Sequence, residues 1–229
     1  MAHDPLLWLM LTIGAYAAGV TLQRLCGRHP ALNPTLIAIA IVATALLLLH
    51  ADYPSYFMAA QPIHLLLGPA VVALAVPLYR HITLVRERAA LLVAALLVGC
   101  MTAIVSSVIA GWFLGLPRAD LLSLAPKSAT AAVSMAVAGK IGGIPAVTAV
   151  LTILTGISGA VIAPFLLNAL RIEDPAARGF GMGLASHGIA TARAFQEGET
   201  TGTFSGLAMA LNAVATSILA PLLVRLLLH

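Results

Sequence analysis

From Ala89 to Pro117 this chain contains no Asp, Glu, Lys, Arg or His. So long an uncharged run exceeds the ~20 residues that cross a ~30 Å hydrocarbon layer, and it limits the fold more than any other feature. Further apolar stretches repeat the pattern, giving expected spans at 6–25, 32–50, 62–79, 89–115, 146–170, 178–196 and 203–228. Charged residues are only 9% of the chain, hydrophobic ones 61%, and mean hydropathy is +1.03. That leaves too little charge to solvate the surface of a soluble domain. Backbone polar groups in lipid must be satisfied within the segment, and the alternating pattern of a membrane barrel is missing. The expected fold class is therefore an all-α integral membrane protein. It has about seven transmembrane helices and a re-entrant or broken segment, in one membrane domain over 1–229 with no room for a separate soluble domain.

The net charge of +4 reads as topology. Basic residues collect in the short connections Arg24 to His29 and Arg80 to Arg88, as cytoplasmic loops do under the positive-inside rule. No Lys/Arg run with interleaved aromatics tracks a phosphate backbone, so no nucleic-acid partner is expected. Cys26 and Cys100 are isolated and support neither a disulfide framework nor a zinc site; nothing asks for a metal or a cofactor. The first residues, Met1 to Pro5, lack the basic start of a secretory signal, and the apolar run behind them is read as retained.

Three segments make poor lipid-facing helices. Residues 62–79 carry His64, Gly68, Pro69 and Pro77; residues 121–140 carry Lys127 and Lys140, the only lysines; residues 178–196 carry four glycines, His187 and Arg193. Proline removes a helical hydrogen bond and glycine weakens the helix, so breaks are expected at Pro69, Pro126 and Gly188. If 121–140 dips in and returns, Arg24, Arg28, Arg80, Arg86, Arg88, Arg171, Arg178 and Arg225 all fall on the cytoplasmic side, with Glu197 and Glu199 outside. The same scheme makes 32–115 and 146–228 two sets of three spans in opposite orientation, the inverted repeat with which many secondary transporters build a midplane site.

Motifs in order along the chain are Pro126-Lys127-Ser128-Ala129-Thr130, Gly142-Gly143-Ile144-Pro145, Thr155-Gly156-Ile157-Ser158-Gly159, Ala185-Ser186-His187-Gly188, Thr191-Ala192-Arg193-Ala194, Gly198-Glu199 and Phe204-Ser205-Gly206-Leu207-Ala208-Met209. In these the chain closely resembles the LrgB/CidB family of membrane proteins. The resemblance covers most of the chain and is densest from 121 to 221. It implies a protein of the bacterial inner membrane, working with a small LrgA/CidA-type membrane subunit. That role is described as holin/antiholin-like control of murein hydrolases and autolysis, and also as transport of small carboxylates such as pyruvate; a plastid relative exchanges glycolate and glycerate. No LrgA-like half lies within the sequence, so a separate partner chain or a homo-oligomer is implied. The chain departs from the pattern at Ala131 and Ala132, where more polar residues and a proline are common, and at Ala190, where a glycine is common.

A site for a monocarboxylate needs a cation or free helix N-terminal N–H groups, with hydroxyls for the remaining oxygens. Pro126 suits a helix start, which puts Lys127, Ser128 and Thr130 in a first turn whose free donors favour an anion. The alternative for Lys127 is to reach to the interface from a helix end, as Lys140, at the other end, is read as doing. Ser186, His187 and Thr191 form a second polar group beside Gly188, with His187 able to carry a proton. Arg193 either clamps a carboxylate or pairs with Glu197, four residues on, which is read as a coupling or gating residue. Asn168 and Asn212 are read as interhelical hydrogen-bonding residues. Enzyme chemistry is not expected: Ser186–His187 and Lys127–Ser128 are adjacent pairs that cannot face each other on a helix, and neither H-E-x-x-H nor G-x-S-x-G occurs. The expected function is transport of a pyruvate-, lactate-, glycolate- or glycerate-class acid by alternating access; the alternative is a holin-like pore or regulator of cell-wall lysis.

Overall fold

The computed structural model describes residues 5–27, 29 and 32–228. Met1 to Asp4, Arg28 and Pro30, which entered the reading of the N-terminus and the first basic connection, lie outside them. The described residues form twelve helices and no strand, and their contacts divide the chain into two compact units, 1–75 and 76–229.

The first unit holds α1 (Pro5–Leu25), α2 (Pro34–Leu48), α3 (Tyr53–Leu65) and α4 (Leu67–Ala73). Asn33 caps α2 by accepting from the Thr35 and Leu36 N–H groups, and Asp52 caps α3 at Ser55, satisfying donors that a helix start leaves free. Gly19 of α1 lies so close to the Pro34 backbone that a Cβ there would sit 2.8 Å from its carbonyl oxygen. At 15 residues, α2 rises only about 22 Å, short of the full span expected for 32–50. The expected span at 62–79 begins earlier, at Tyr53, and is interrupted at Leu66 and Leu74. Each interruption falls three residues before a proline, Pro69 and Pro77, whose rings crowd the carbonyls four residues back. The break assigned to Pro69 thus lies at Leu66, with Pro69 inside α4.

The second unit contains α5 (Ala75–Arg80) from Val76 onward, α6 (Ile82–Glu87), α7 (Ala89–Phe113), α8 (Arg118–Leu124), α9 (Ala131–Ile141), α10 (Pro145–Ala169), α11 (Pro175–Glu197) and α12 (Glu199–Leu227). Five helical stretches among the described residues are long and apolar enough to cross a membrane: Pro5–Leu25, Tyr53–Arg80, Ala89–Phe113, Pro145–Ala169 and Glu199–Leu227.

The stretch 178–196 is not a sixth. Its helix is interrupted at Ser186 (φ −142°, ψ 20°) and His187 (φ 44°, ψ −138°), and the chain doubles back there. Arg178 near its start and Glu197 at its end form an ion pair at 3.0 Å. Gly179 and Phe195 both lie against residues 201–202 of α12, while Gly183 and Thr191 both lie against Ser205. Met182 of the first arm packs with Ala190 and Ala194 of the second. The arms 175–185 and 188–197 are thus antiparallel, and the first runs parallel to the start of α12. Small residues permit this: at Gly179 and Gly183 the backbone of α12 occupies the place of a side chain.

Residues 118–144 also return to where they began. Ser134 Oγ donates to the Pro126 carbonyl at 2.7 Å, the Ile144 N–H donates to Ser123 Oγ at 2.7 Å, and Thr148 Oγ1 donates to the Ser123 carbonyl at 3.1 Å. A straight helix from 123 to 144 would hold those residues about 30 Å apart. Gly142, with φ 92°, supplies the left-handed turn that ends α9.

The two hairpins open at opposite ends of the unit. Arg118, at the base of the first, donates to the Leu228 carbonyl at 2.6 Å. The second opens at the other end of α12, where Arg80 pairs with Glu199 and Arg88 with Asp174. The expected placement of Arg178, Arg225 and the Glu197–Glu199 connection is therefore corrected. The glutamates lie with Arg80, Arg88 and Arg178, and Arg225 lies at the far end of α12, because residues 178–196 fold back where a crossing helix would have carried the glutamates away.

Candidate functional site

The hairpin tips meet beside the middle of α12. Asn212 is 13 residues past Glu199 and 15 before Leu227, about 20 Å and 22 Å along the helix. Its side-chain amide donates to the Ser128 carbonyl at 2.9 Å and to the Leu184 carbonyl at 3.0 Å. One side chain therefore touches both interrupted segments.

At the first tip the helix starts later than expected. Residues 125–130 form a turn, Thr130 is the N-cap residue and α9 begins at Ala131; Pro126 ends the incoming arm and does not open the helix. The first helical hydrogen bond runs from the Ser134 N–H to the Thr130 carbonyl at 2.8 Å, so the N–H groups of Ala131, Ala132 and Val133 precede it, and the Thr130 hydroxyl makes no cap. Ser128 is buried, Lys127 and Thr130 half-buried, and Lys140 exposed at the other end of α9.

At the second tip the reversal sits at Ser186–His187, one residue before Gly188. A positive φ on a non-glycine residue costs about 1–3 kcal/mol and persists only where surroundings impose it. Here α10 imposes it. His187 Nε2 lies 2.9 Å from the Thr152 carbonyl, which assigns the ring proton to Nε2. The imidazole occupies the gap at Gly156, where a Cβ would stand 2.6 Å from Cε1, and Ser186 fills the gap at Gly159. The departure to Ala190 does not prevent the break, because the reversal is set by packing against these glycines.

Thr191 Oγ1 donates to the His187 carbonyl at 2.8 Å and meets Ser205 Oγ at 2.9 Å, so His187, Thr191 and Ser205 form one buried group. The Arg193–Glu197 pairing expected from spacing is replaced. Arg193 donates to Gln196 Oε1 at 2.8 Å, and Glu197 pairs with Arg178, which also donates to Asn168 Oδ1 and the Ile172 carbonyl. Arg193 and Glu197 thus lie toward the mouth of the hairpin, away from its tip.

The electrostatics follow from helix direction. At each tip one arm ends, presenting carbonyls, and one begins, presenting N–H groups with the positive end of its dipole. Four of these carbonyls are occupied: Ser128 and Leu184 by Asn212, Pro126 by Ser134, Leu124 by the Lys127 N–H at 3.2 Å. The starts at Ala131 and Gly188 point inward from opposite ends, and the Lys127 ammonium and the hydroxyls of Ser128, Thr130 and Ser186 hold no hydrogen bond to protein among the described residues. Thr152, fully buried beside His187, likewise has no partner for its Oγ1. Donors without acceptors at a convergence of positive helix ends suit a small oxyanion.

Sequence reasoning read Asn212 as an interhelical hydrogen-bonding residue, which its two bonds bear out, but gave it no place in the site and did not single out Ser134, Thr152 or Ser205. The signal for Asn212 was present: it is the single amide side chain in the 29 residues of α12. Among the described residues no three His, Cys, Asp or Glu side chains gather as a metal site. Cys26 is exposed, and Cys100 is buried with Sγ 3.4 Å from Thr216 Oγ1.

Residues 12–226 match the model of the LrgB-like family. Similar proteins include the Bacillus subtilis protein YxaC, 36% identical over 220 residues covering 95% of this chain and 94% of that one. The holin-like protein CidB of Staphylococcus aureus is 33% identical over 221 residues, 96% of each chain, and CidB of Staphylococcus epidermidis is 31% identical over 220 residues, 96% of each. No solved structure matches.

Proposed function

As this chain belongs to the LrgB-like family, we propose that it carries a small monocarboxylate, of the pyruvate, lactate, glycolate or glycerate class, across the bacterial inner membrane by alternating access, beside an LrgA/CidA-type subunit. The observation that carries this reading is the meeting of two oppositely directed hairpins at Asn212, each with a helical arm that starts at its tip. A carboxylate takes the N–H groups at Ala131 and Gly188 and the Lys127 charge. The Ser128 and Thr130 hydroxyls serve the 2-oxo or 2-hydroxy oxygen, while Ser186, expected from sequence to join them, is seated against Gly159 of α10. His187 and Thr191 hold the second tip in shape, with His187 placed to carry a proton, while Arg193 and Glu197 act at the mouth on the Arg178 side. On this reading the site binds a solute without chemistry, and the imidazole Nε2, engaged with the Thr152 carbonyl, serves to hold the tip.

The repeat relevant to such a mechanism is a hairpin with the long helix that follows it, 118–169 and 175–227, in place of the triplets 32–115 and 146–228. Each unit enters from its own end, which is the arrangement that lets one site face either side in turn.

Counterflow in liposomes with pyruvate, lactate, glycolate and glycerate, with and without an LrgA-type subunit, tests the proposal. Saturable exchange of at least one acid, weakened by Lys127→Met, is the expected result. Non-saturating, size-limited leak of all four would replace it with the second reading, a holin-like pore, which the names of the staphylococcal relatives favour.

A further inference from the structure

We propose that Asn212 is the positioning residue of the junction: its amide ties the two hairpin tips together and withdraws their carbonyl ends from the anion. The anion rests on the transport reading above; the tie rests on hydrogen-bond geometry alone.

Both N–H bonds and the oxygen of this buried amide are engaged. Its two N–H bonds serve the Ser128 and Leu184 carbonyls, and its Oδ1 accepts from Thr216 Oγ1 at 3.2 Å, which in turn meets Cys100 Sγ of α7. The flipped amide would set Oδ1 against two carbonyl oxygens, so the network fixes the orientation. The two acceptors are not equivalent in the chain: one lies in the turn of the first hairpin, the other just before the reversal of the second, and they are 56 residues apart (184 − 128). No other side chain among the described residues bonds to both tips.

The electrostatic consequence is specific. An unoccupied carbonyl carries negative partial charge, reinforced at Leu184 by its place at the end of a helical arm, and two of them at the junction would oppose the helix starts at Ala131 and Gly188. A neutral group with two donors cancels both carbonyls without placing a full positive charge in the bilayer interior, where ionised groups are costly. Aspartate has the same shape and the opposite effect, with acceptors facing acceptors. Since the tie joins elements entering from opposite ends, a shift of either hairpin relative to the other must break one of its two bonds.

The test uses the full chain with Cys26→Ser and Cys100→Ser, spin-labelled at Ala132→Cys and Gly188→Cys, exposed positions on the two tips. The unaltered Asn212 protein should give one narrow inter-label distance; Asn212→Leu should broaden or lengthen it. Asn212→Asp should do so at neutral pH and recover on acidification, when the protonated carboxyl donates again; this second variant decides if the leucine protein does not fold. Exchange by Asn212→Leu should show KM raised about tenfold, the equivalent of two net hydrogen bonds, with Vmax per folded protein little changed. A distance distribution that neither variant alters, or a lost Vmax with unchanged KM, overturns the proposal. If the unaltered protein exchanges none of the four acids, the transport reading fails, and the distances alone decide the tie.

Discussion

Breaking the Arg178–Glu197 pair tests whether α11 folds back. The two charges are 19 residues apart in sequence and 3.0 Å apart in space. A hydrogen bond to a charged group contributes about 1.5–3 kcal/mol, and with side chains 14% and 17% exposed solvent screening trims this to about 1–2 kcal/mol. In a continuous helix the same residues would stand about 28 Å apart, more than three Debye lengths of about 8 Å at physiological salt. Their coupling would then be within the ~0.3–0.5 kcal/mol by which distant sites add. Arg178→Gln, Glu197→Gln and the double variant, unfolded reversibly in mixed micelles, give that coupling directly. Arg178→Gln should cost more than Glu197→Gln, because Arg178 also serves Asn168 and the Ile172 carbonyl; the cycle cancels that difference. A coupling indistinguishable from zero would refute the hairpin and restore a crossing helix.

Gly159→Ala should destabilise the protein by about 1–3 kcal/mol, because the new methyl would overlap Ser186 at the second tip, while Gly181→Ala, with nothing within 4 Å, should be neutral or mildly stabilising in the same unfolding assay. Asp174→Ala should cost about 1 kcal/mol through loss of the α11 cap at Ala177. The Ala177 N–H first, and Arg88 second, hold the Asp174 carboxyl below its ordinary value. Its stabilisation is therefore complete above about pH 4, the unfolded value, and is lost as pH falls through the folded one; a melting series of wild type and variant should converge in acid. Single cysteines at Glu173 and Glu199 should label from the cytoplasmic face, shared with Arg80, Arg86, Arg88, Arg171 and Arg178, and those at Leu116 and Ile144 from the outer face. Labelling of Glu173 and Glu199 from different faces would contradict the hairpin.

Sequence and structure divide the explanation by range. Membrane residence, the long helices at 89–115, 146–170 and 203–228, and the two polar segments flanking Lys127 and His187 follow from residue type and local spacing, because hydrocarbon penalises charge and unpaired backbone wherever they occur. The resemblance to the family followed from ordered motifs, and the match over residues 12–226 agrees with it. Direction after each break was another matter. A glycine or proline marks where a helix weakens without saying whether the chain continues or reverses, and that choice rests on partners far along the sequence. His187 holds its reversed backbone because Gly156 and Gly159 make room and Thr152 accepts its proton. Arg178 found Glu197 where spacing had offered Arg193. Asn212 was visible as one amide in an apolar helix, but its role required two carbonyls 56 residues apart (184 − 128) to arrive at the same nitrogen. Composition alone thus decided the solvent and the elements of this protein. Only tertiary packing decided which elements cross and which return, since a helix pair and a hairpin satisfy the same local hydrogen bonds and differ only in what they meet.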